Sequence, residues 1–360
     1  MRLPNIPKIN LSMAEAARMR QNKLTKPPGS LGRLESLSIQ LCAITCKLKP
    51  VIDHKAVIIM AGDHGVTAEG VSAYPTEVTT QMVMNFLNGG AAINVLARQI
   101  GARVVIVDVG VATVLADYEQ VLSDISSLTS NTSLVQHKVA FGTQNMAIGP
   151  AMTPDQADAA IMVGIEMLER EVKQGLDLVA TGDMGIGNTT ASAAIVSVIT
   201  GITPGEVTGR GTGVDDVGLK RKVAVIERAL QVNRPNRCDP LDVLSKVGGL
   251  EIAGLVGVIL GAASHRLPVV IDGLVSGAAA LLAVGLVPEV KPYLIASHQS
   301  VEIGHKILLK YLGLNPLLDL ELRLGEGTGA VLAFPIIEAA ARILNEMATF
   351  TEAHVSDTVK

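Results

Sequence analysis

AVIIMAGDHG, residues 56–65, decides how the chain is read. Its first seven residues, Ala56 to Gly62, are apolar or small without a break. A strand with one wet face alternates polar and apolar side chains. An unbroken run is what a strand covered on both faces requires, as in a parallel sheet. Asp63, His64 and Gly65 then place two polar groups and a turn former directly after the run. Working outward, four more runs have this form: RVVIVDVG (103–110), LDLVATG (176–182), PVVID (268–272) and YLIAS (293–297).

Helical patterns separate them. Residues Val78–Leu87 and Ala91–Gln99 read as helices, and Thr153, Pro154 and Gln156 mark a helix start with proline in the first turn, the helix ending at Gly175. Further helices are expected over Thr189–Thr200 and Lys220–Gln231, from Asp239-Pro240, within Ile252–Val287 on either side of PVVID, and after Gly327. Strands alternating with helices imply right-handed crossovers and a mostly parallel α/β sheet with helices on both faces. Two helices precede any strand. Ser12 and Glu15 form an S-x-x-E pattern opening a helix to Leu24. After TKPPGSLGRLE, Leu34, Leu37, Leu41, Ile44 and Leu48 recur at helical spacing. They form a separate helical element or cap. The Ser- and Thr-rich stretch 123–133 reads as a loop.

Bulk properties narrow the function. The 360 residues suit one large domain, or one domain with a smaller attachment. Only 2% of residues are aromatic and none is Trp, so the core is aliphatic. A net charge of −4 without blocks of like sign argues against a nucleic-acid groove, which needs a basic stripe and stacking platforms. Cys42, Cys46 and Cys238 make no disulfide framework and no CxxC motif, so they read as reduced thiols. The N-terminus lacks the apolar centre of a signal peptide. His265, Arg266, Pro268 and Asp272 interrupt Ile252–Val287, leaving no clean apolar span of ~20 residues there. A cytoplasmic setting without membrane partners is expected.

In open α/β sheets ligands bind beyond the carboxyl ends of the strands. Those positions hold Asp63 and His64, Asp108, Asp183, Gly185, Gly187 and Asn188, Asp272 and Gly273, Ser297 and His298, and Glu326 after a last strand-like piece. GDMGIGNTT (182–190) lacks the GxGxxG spacing and the P-loop lysine, but glycines before a helix start suit an anion. GRGTG (209–213) is a second such turn, with Lys222 as a possible cation; two ordinary tight turns and a solvated lysine remain the plainer alternative. In RLGEGTGA (323–330), Glu326 between glycines is either a base facing a cleft or an acid supporting the next helix. Asp63-His64 lacks partners at metal-ligand spacing and reads as a hydrogen-bonded turn. His298 and His305 read as structural, His298 also lying next to a ligand position.

Taken together and in order, LTKPPGSLGRLE, AGDHGV, GDMGIGNTT, KVGGLEIAGLVGVILGAA, LPVVIDG, PYLIASHQS and RLGEGTGA resemble the nicotinate-nucleotide:dimethylbenzimidazole phosphoribosyltransferases, the CobT family of cobalamin biosynthesis. The resemblance covers nearly the whole chain. It implies transfer of 5-phosphoribosyl from nicotinate mononucleotide to 5,6-dimethylbenzimidazole, giving α-ribazole 5′-phosphate and nicotinate, with no cofactor and no metal. It implies a six-stranded parallel sheet in a Rossmann-like domain (51–335), a small helical domain from both chain ends (1–50 with 336–360), and a homodimer. Glu326 takes the general-base position. Asp183, Gly185, Gly187, Asn188, Gly211, Lys222, Asp272 and Ser297 fall around the nucleotide, and Tyr74, Gln81, Met82 and Leu324 around the acceptor base. Family members carry Glu or Asp at the position of Asp183, and some carry Ser and Gln where this chain has Tyr74 and Met82. A non-catalytic nucleotide-binding or regulatory module on the same fold is the rival reading. A nicotinamide-dependent dehydrogenase is disfavoured, because GxGxxG followed by an acid about 20 residues on is missing.

Overall fold

The computed structural model describes residues 3–115 and 131–356. Six strands, β1 (Lys55–Gly62), β2 (Arg103–Gly110), β3 (Thr132–Gln136), β4 (Leu178–Met184), β5 (Val269–Ile271) and β6 (Leu294–Ala296), form one parallel sheet. Their order is β3-β2-β1-β4-β5-β6, so the winding direction reverses between β1 and β4. That reversal splays the connecting loops apart at the carboxyl edge and opens a crevice there.

The unbroken apolar runs do what they imply. Every residue of β1 is buried. Successive side chains alternate between faces: Ile58 and Met60 enter one core, Val57, Ile59 and Ala61 the other. The first core is completed by α5 (Pro154–Lys173), α6 (Asn188–Thr200), α7 (Asp216–Asn233), α8 (Pro240–Val247), α9 (Leu250–Ser264), α10 (Leu274–Leu286) and α11 (Ile303–Leu312). The second is completed by α2 (Arg33–Thr45), α3 (Val78–Leu87), α4 (Ala92–Ile100) and α12 (Thr328–Glu346). In α12, 56% of the window with the length and composition of a membrane span is buried inside the protein, with Ala330, Val331, Phe334 and Ile337 in the second core.

The two chain ends meet. Leu344 packs with Ala17 of α1 (Leu11–Gln21) and Cys42 of α2. Arg20 Nε donates to Leu344 O at 2.7 Å, and Thr25 N to Ala348 O at 3.0 Å. α12 runs unbroken through residues 335 and 336, linking this corner to the sheet.

Local expectations held where propensity and packing agree. Thr153 caps α5 with Gln156 returning the bond, and proline sits in the first turn. The structure differs in four places. α1 is capped by Asn10, whose side chain accepts from Met13 N, so the S-x-x-E pattern of Ser12 and Glu15 lies inside the helix; Glu15 pairs with Arg18 instead. α2 stops at Thr45, where Cys46 turns left-handed, and does not reach Leu48. No strand precedes Glu326; residues 321–325 are irregular. The expected loop 123–133 lies outside the described residues as far as 130, and its last two residues, Thr132 and Ser133, open the edge strand β3.

The tightest seam joins α5 to α9. A Cβ on Gly164 would come within 1.9 Å of Gly254 O, and one on Gly257 within 1.9 Å of Ile161 O. These helices touch backbone to backbone. Alanine favours a helix over glycine by about 1 kcal/mol, yet here it must displace a carbonyl. Gly257→Ala is expected to lower unfolding free energy by about 1–3 kcal/mol, measured by denaturant titration.

Candidate active site

A cavity of about 670 Å³ opens at the carboxyl edge of the sheet. Its wall is built by Tyr74, Val78 and Met82 around α3, by the β4–α6 turn, by Gly211 and Thr212, by the start of α10, by His298, Ser300 and Glu302 beyond β6, and by residues 321–326.

Glu326 enters this space on an unusual turn. Gly325, Glu326 and Gly327 have φ of 89°, 63° and 86°, three consecutive residues in the left-handed region. Glycine adopts it freely, whereas a side chain there is uncommon and strained. Neighbours hold the strain in place. The Asp272 carboxylate accepts from Gly327 N at 3.3 Å and Ala330 N at 2.9 Å, pinning the first turn of α12. Thr328 Oγ1 donates to Gly325 O at 2.8 Å. The turn presses on β4, since a Cβ at Gly182 would lie 2.6 Å from Glu326 O.

The Glu326 side chain is only 5% exposed, and Ile93 N donates to its Oε2 at 3.4 Å. Burial pushes its pKa up to about 7; the Ile93 bond works against this and the Asp272 charge adds to it. A carboxyl group that changes charge near neutrality is suited to taking a proton.

Asp183 lies against the same turn, with its Oδ2 3.3 Å from where a Cβ on Gly325 would be. Asn188 Nδ2 donates to it at 2.9 Å. Burial holds its pKa well above the ordinary carboxylate range, as do the charges of Asp272, Glu251 and Glu326, against the Asn188 bond. These acids repel one another, and a cation entering among them is favoured.

The opposite chemistry gathers at the glycine turns. Lys222 of α7 is 1% exposed and donates to Thr189 Oγ1 at 2.7 Å. Burial lowers its pKa to about 8, opposed by Glu302. Thr189 and Asn188 begin α6, whose N-terminus favours anions. Gly211 N donates to Glu302 Oε1 at 2.9 Å, and Arg323 Nη1 to Gly211 O at 3.1 Å.

The description of the family model that matches residues 6–355 is phosphoribosyltransferase. The chain belongs to this phosphoribosyltransferase family. A relative from Desulforudis audaxviator, named nicotinate-nucleotide-dimethylbenzimidazole phosphoribosyltransferase, is 57% identical over 98% of this chain and 97% of its own length. One from Chloroflexus aurantiacus with the same name is 58% identical over 96% of this chain and 95% of its own. The crystal structure of CobT from Thermus thermophilus matches with a TM-score of 0.90 at 48% identity, covering 96% of this chain and all of that one.

Within this phosphoribosyltransferase, Tyr74, Met82, Asp183, Gly185, Asn188, Gly211, Leu324 and Glu326 line the cavity. Lys222 and Asp272 stand behind that lining, each 1% exposed. Gly187 is the left-handed residue before α6. Ser297 is wholly buried, its Oγ donating to Ile271 O at 2.7 Å, with His298 Nδ1 3.0 Å away. Gln81 is exposed on α3 and does not line the cavity. His298 Nδ1 lies 3.7 Å from Asp272 Oδ1 and its ring lies 5.8 Å from that of His305. Below the floor, His64 Nε2 meets Glu251 Oε1 at 2.7 Å, both buried. Asp63 accepts from Ala112 N at 2.7 Å, so Asp63-His64 is a hydrogen-bonded turn. Among the described residues, no three His, Cys, Asp or Glu side chains are placed to hold a metal ion. Sequence reading missed Thr189, Ser300 and Glu302. The one signal for Glu302 was an acid five residues past a strand end, at a helix start, where acids are common.

Glu326 weighs on stability as well as chemistry. Its folded pKa, about 7, exceeds the ordinary 4.5, so the folded state holds the proton more tightly. The resulting stability is full below pH 4.5 and lost as pH rises through 7. Glu326→Gln is expected to be more stable than wild type by roughly 1–3 kcal/mol at pH 8 and about equal at pH 5, read from thermal or denaturant midpoints.

Proposed function

We propose that the chain transfers 5-phosphoribosyl from nicotinate mononucleotide to 5,6-dimethylbenzimidazole, giving α-ribazole 5′-phosphate and nicotinate for the nucleotide loop of cobalamin. The observation that carries this reading is Glu326, a buried carboxyl group with its pKa near 7 on a cavity whose other parts suit a sugar phosphate. The names of the close relatives support it.

The chemistry follows from the groups present. The nicotinate ring leaves C1′ with the glycosidic electron pair and quenches its own pyridinium charge, so its departure needs no acid. One imidazole nitrogen of the acceptor forms the new bond from the opposite face, converting the β-linkage to α. Its other nitrogen thereby becomes acidic and yields its proton to Glu326. A negative charge on Asp183 offsets the positive charge that develops on the ribose. Lys222, Gly211, Gly185, Gly187 and Asn188 take the phosphate end, with Asp272 and Ser297 supporting the nucleotide side. Tyr74, Met82 and Leu324, which line the cavity, take the apolar acceptor, and Gln81, outside that lining, does not reach it. No electrons are exchanged and no pyrophosphate leaves, so the reaction calls for neither redox cofactor nor Mg²⁺. We also infer a homodimer in the cytoplasm, with residues 1–50 and 336–360 as a small helical unit beside the catalytic domain 51–335.

The decisive experiment mixes the protein with nicotinate mononucleotide and a panel of benzimidazoles, purines and phenols, and follows nicotinate release and ribosylated product by chromatography. Binding without nicotinate release would leave only a nucleotide-binding module. Turnover in wild type should rise with pH through about 7. Glu326→Gln should lower kcat roughly 10²–10⁴-fold and flatten that profile; near-normal turnover would remove Glu326 from its role. Asp183→Asn should lower kcat/KM for the donor by about tenfold or more, while unchanged donor kinetics would count against its placement.

A further inference from the structure

Glu302 is out of place in an anion site. It lines the cavity beside Gly211, Thr189 and Arg323, where the reading above seats the donor's phosphate. A carboxylate there repels a phosphate dianion, yet nothing lets it move aside. The side chain is 7% exposed. Its Oε1 is held by Gly211 N at 2.9 Å. Its Oε2 is buried without a hydrogen-bond partner against Gly209, where a Cβ would fall 1.9 Å away. Its backbone is fixed at both sides, Glu302 N donating to Ser300 Oγ at 3.3 Å and Glu302 O accepting from His305 N at 3.0 Å. Lys222 interacts with it through charge but makes no hydrogen bond to it, the Lys222 bond going to Thr189.

Two anionic oxygens brought into contact need a proton between them. A phosphate monoester has one at hand, because its second ionisation falls near pH 6. We propose that Glu302 is a specificity-determining residue that accepts a hydrogen bond from a protonated oxygen of the donor's phosphate, selecting a tetrahedral anion that carries a P–OH group. The phosphate binds as its monoanion, with one oxygen donating to Glu302 and the others accepting from Lys222, Thr189 and the α6 N-terminus. Donor binding then takes up about one proton from water at pH above 6. Besides Lys222, the titratable and charged groups among the described residues that share the cavity with Glu302 or pack against it are Tyr74, Arg323, Glu321, Asp183, Glu326, His298 and His305. The test therefore compares ligands at one pH, where these groups act on both alike.

The inference rests on the phosphoribosyl-transfer reading for where the phosphate sits, but its test needs no turnover. Calorimetry on the full chain at pH 7 would compare inorganic phosphate, which keeps at least one proton, with sulfate, which keeps none. Wild type should prefer phosphate roughly ten- to hundredfold, the worth of one charge-assisted hydrogen bond. In Glu302→Gln, whose amide can donate, the preference should shrink to about threefold or less, chiefly because sulfate binds more tightly. If that variant does not fold, wild type still decides: ribose 5-phosphate binding, measured in two buffers of different ionisation heat at pH 7.5, should take up close to one proton. Equal phosphate and sulfate affinities in wild type, no binding of either at millimolar concentration, or no proton uptake would each overturn the inference. Failure to release nicotinate would instead count against the transfer reading and leave these measurements standing.

Discussion

The Asp272 carboxylate is the point on which the site turns. At the end of β5 it accepts from two amides at the start of α12, the third α-helix further along the chain: Gly327 N and Ala330 N. An acid at a helix start is favoured by the helix dipole and by otherwise unpaired N–H groups. Here that local preference has a distant effect. It locks α12 to the sheet edge, and so holds the three left-handed residues before the helix in a shape a free chain would seldom visit. Without that anchor, Glu326 would relax towards an ordinary turn, and the close approach of its carbonyl to Gly182 would open.

The arrangement is costly and internally consistent. Asp183, Asp272 and Glu326 crowd one end of the cavity, each with its pKa raised, burial being the first cause in every case. Such crowding destabilises a folded protein unless something cationic arrives. The basic group, Lys222, is buried at the glycine turns and has its pKa lowered. The site is thus polarised, acid at one end and anion-seeking at the other. A zwitterionic donor with a ring cation and a phosphate meets both ends in a single orientation.

Much of this was legible in the sequence, for definite reasons. Five of the six strands, all but β3, read as largely apolar runs because both faces are covered, and the acids follow them because that edge is where the loops diverge. β3 was not legible: TSLVQ is a half-buried edge strand with hydroxyl side chains and no apolar run. The cap of α1 was misplaced by two residues because Asn10 and Ser12 both suit helix starts, and only tertiary packing chooses between them. The role of Asp272 was visible as an acid at a strand end, but its partners lie 55 and 58 residues away. Glu302 looked like any acid opening a helix. Its meaning comes from Gly209 and Gly211, 93 and 91 residues earlier, which chain closure brings against it.

α12 begins at the residue after Gly327 and ends where Leu344 O receives Arg20. A rod of 19 residues spans roughly 28 Å. It makes the reactive turn and the outer corner of the molecule two ends of one lever. One continuous helix therefore carries both the first turn that Asp272 pins and the carbonyl that Arg20 holds.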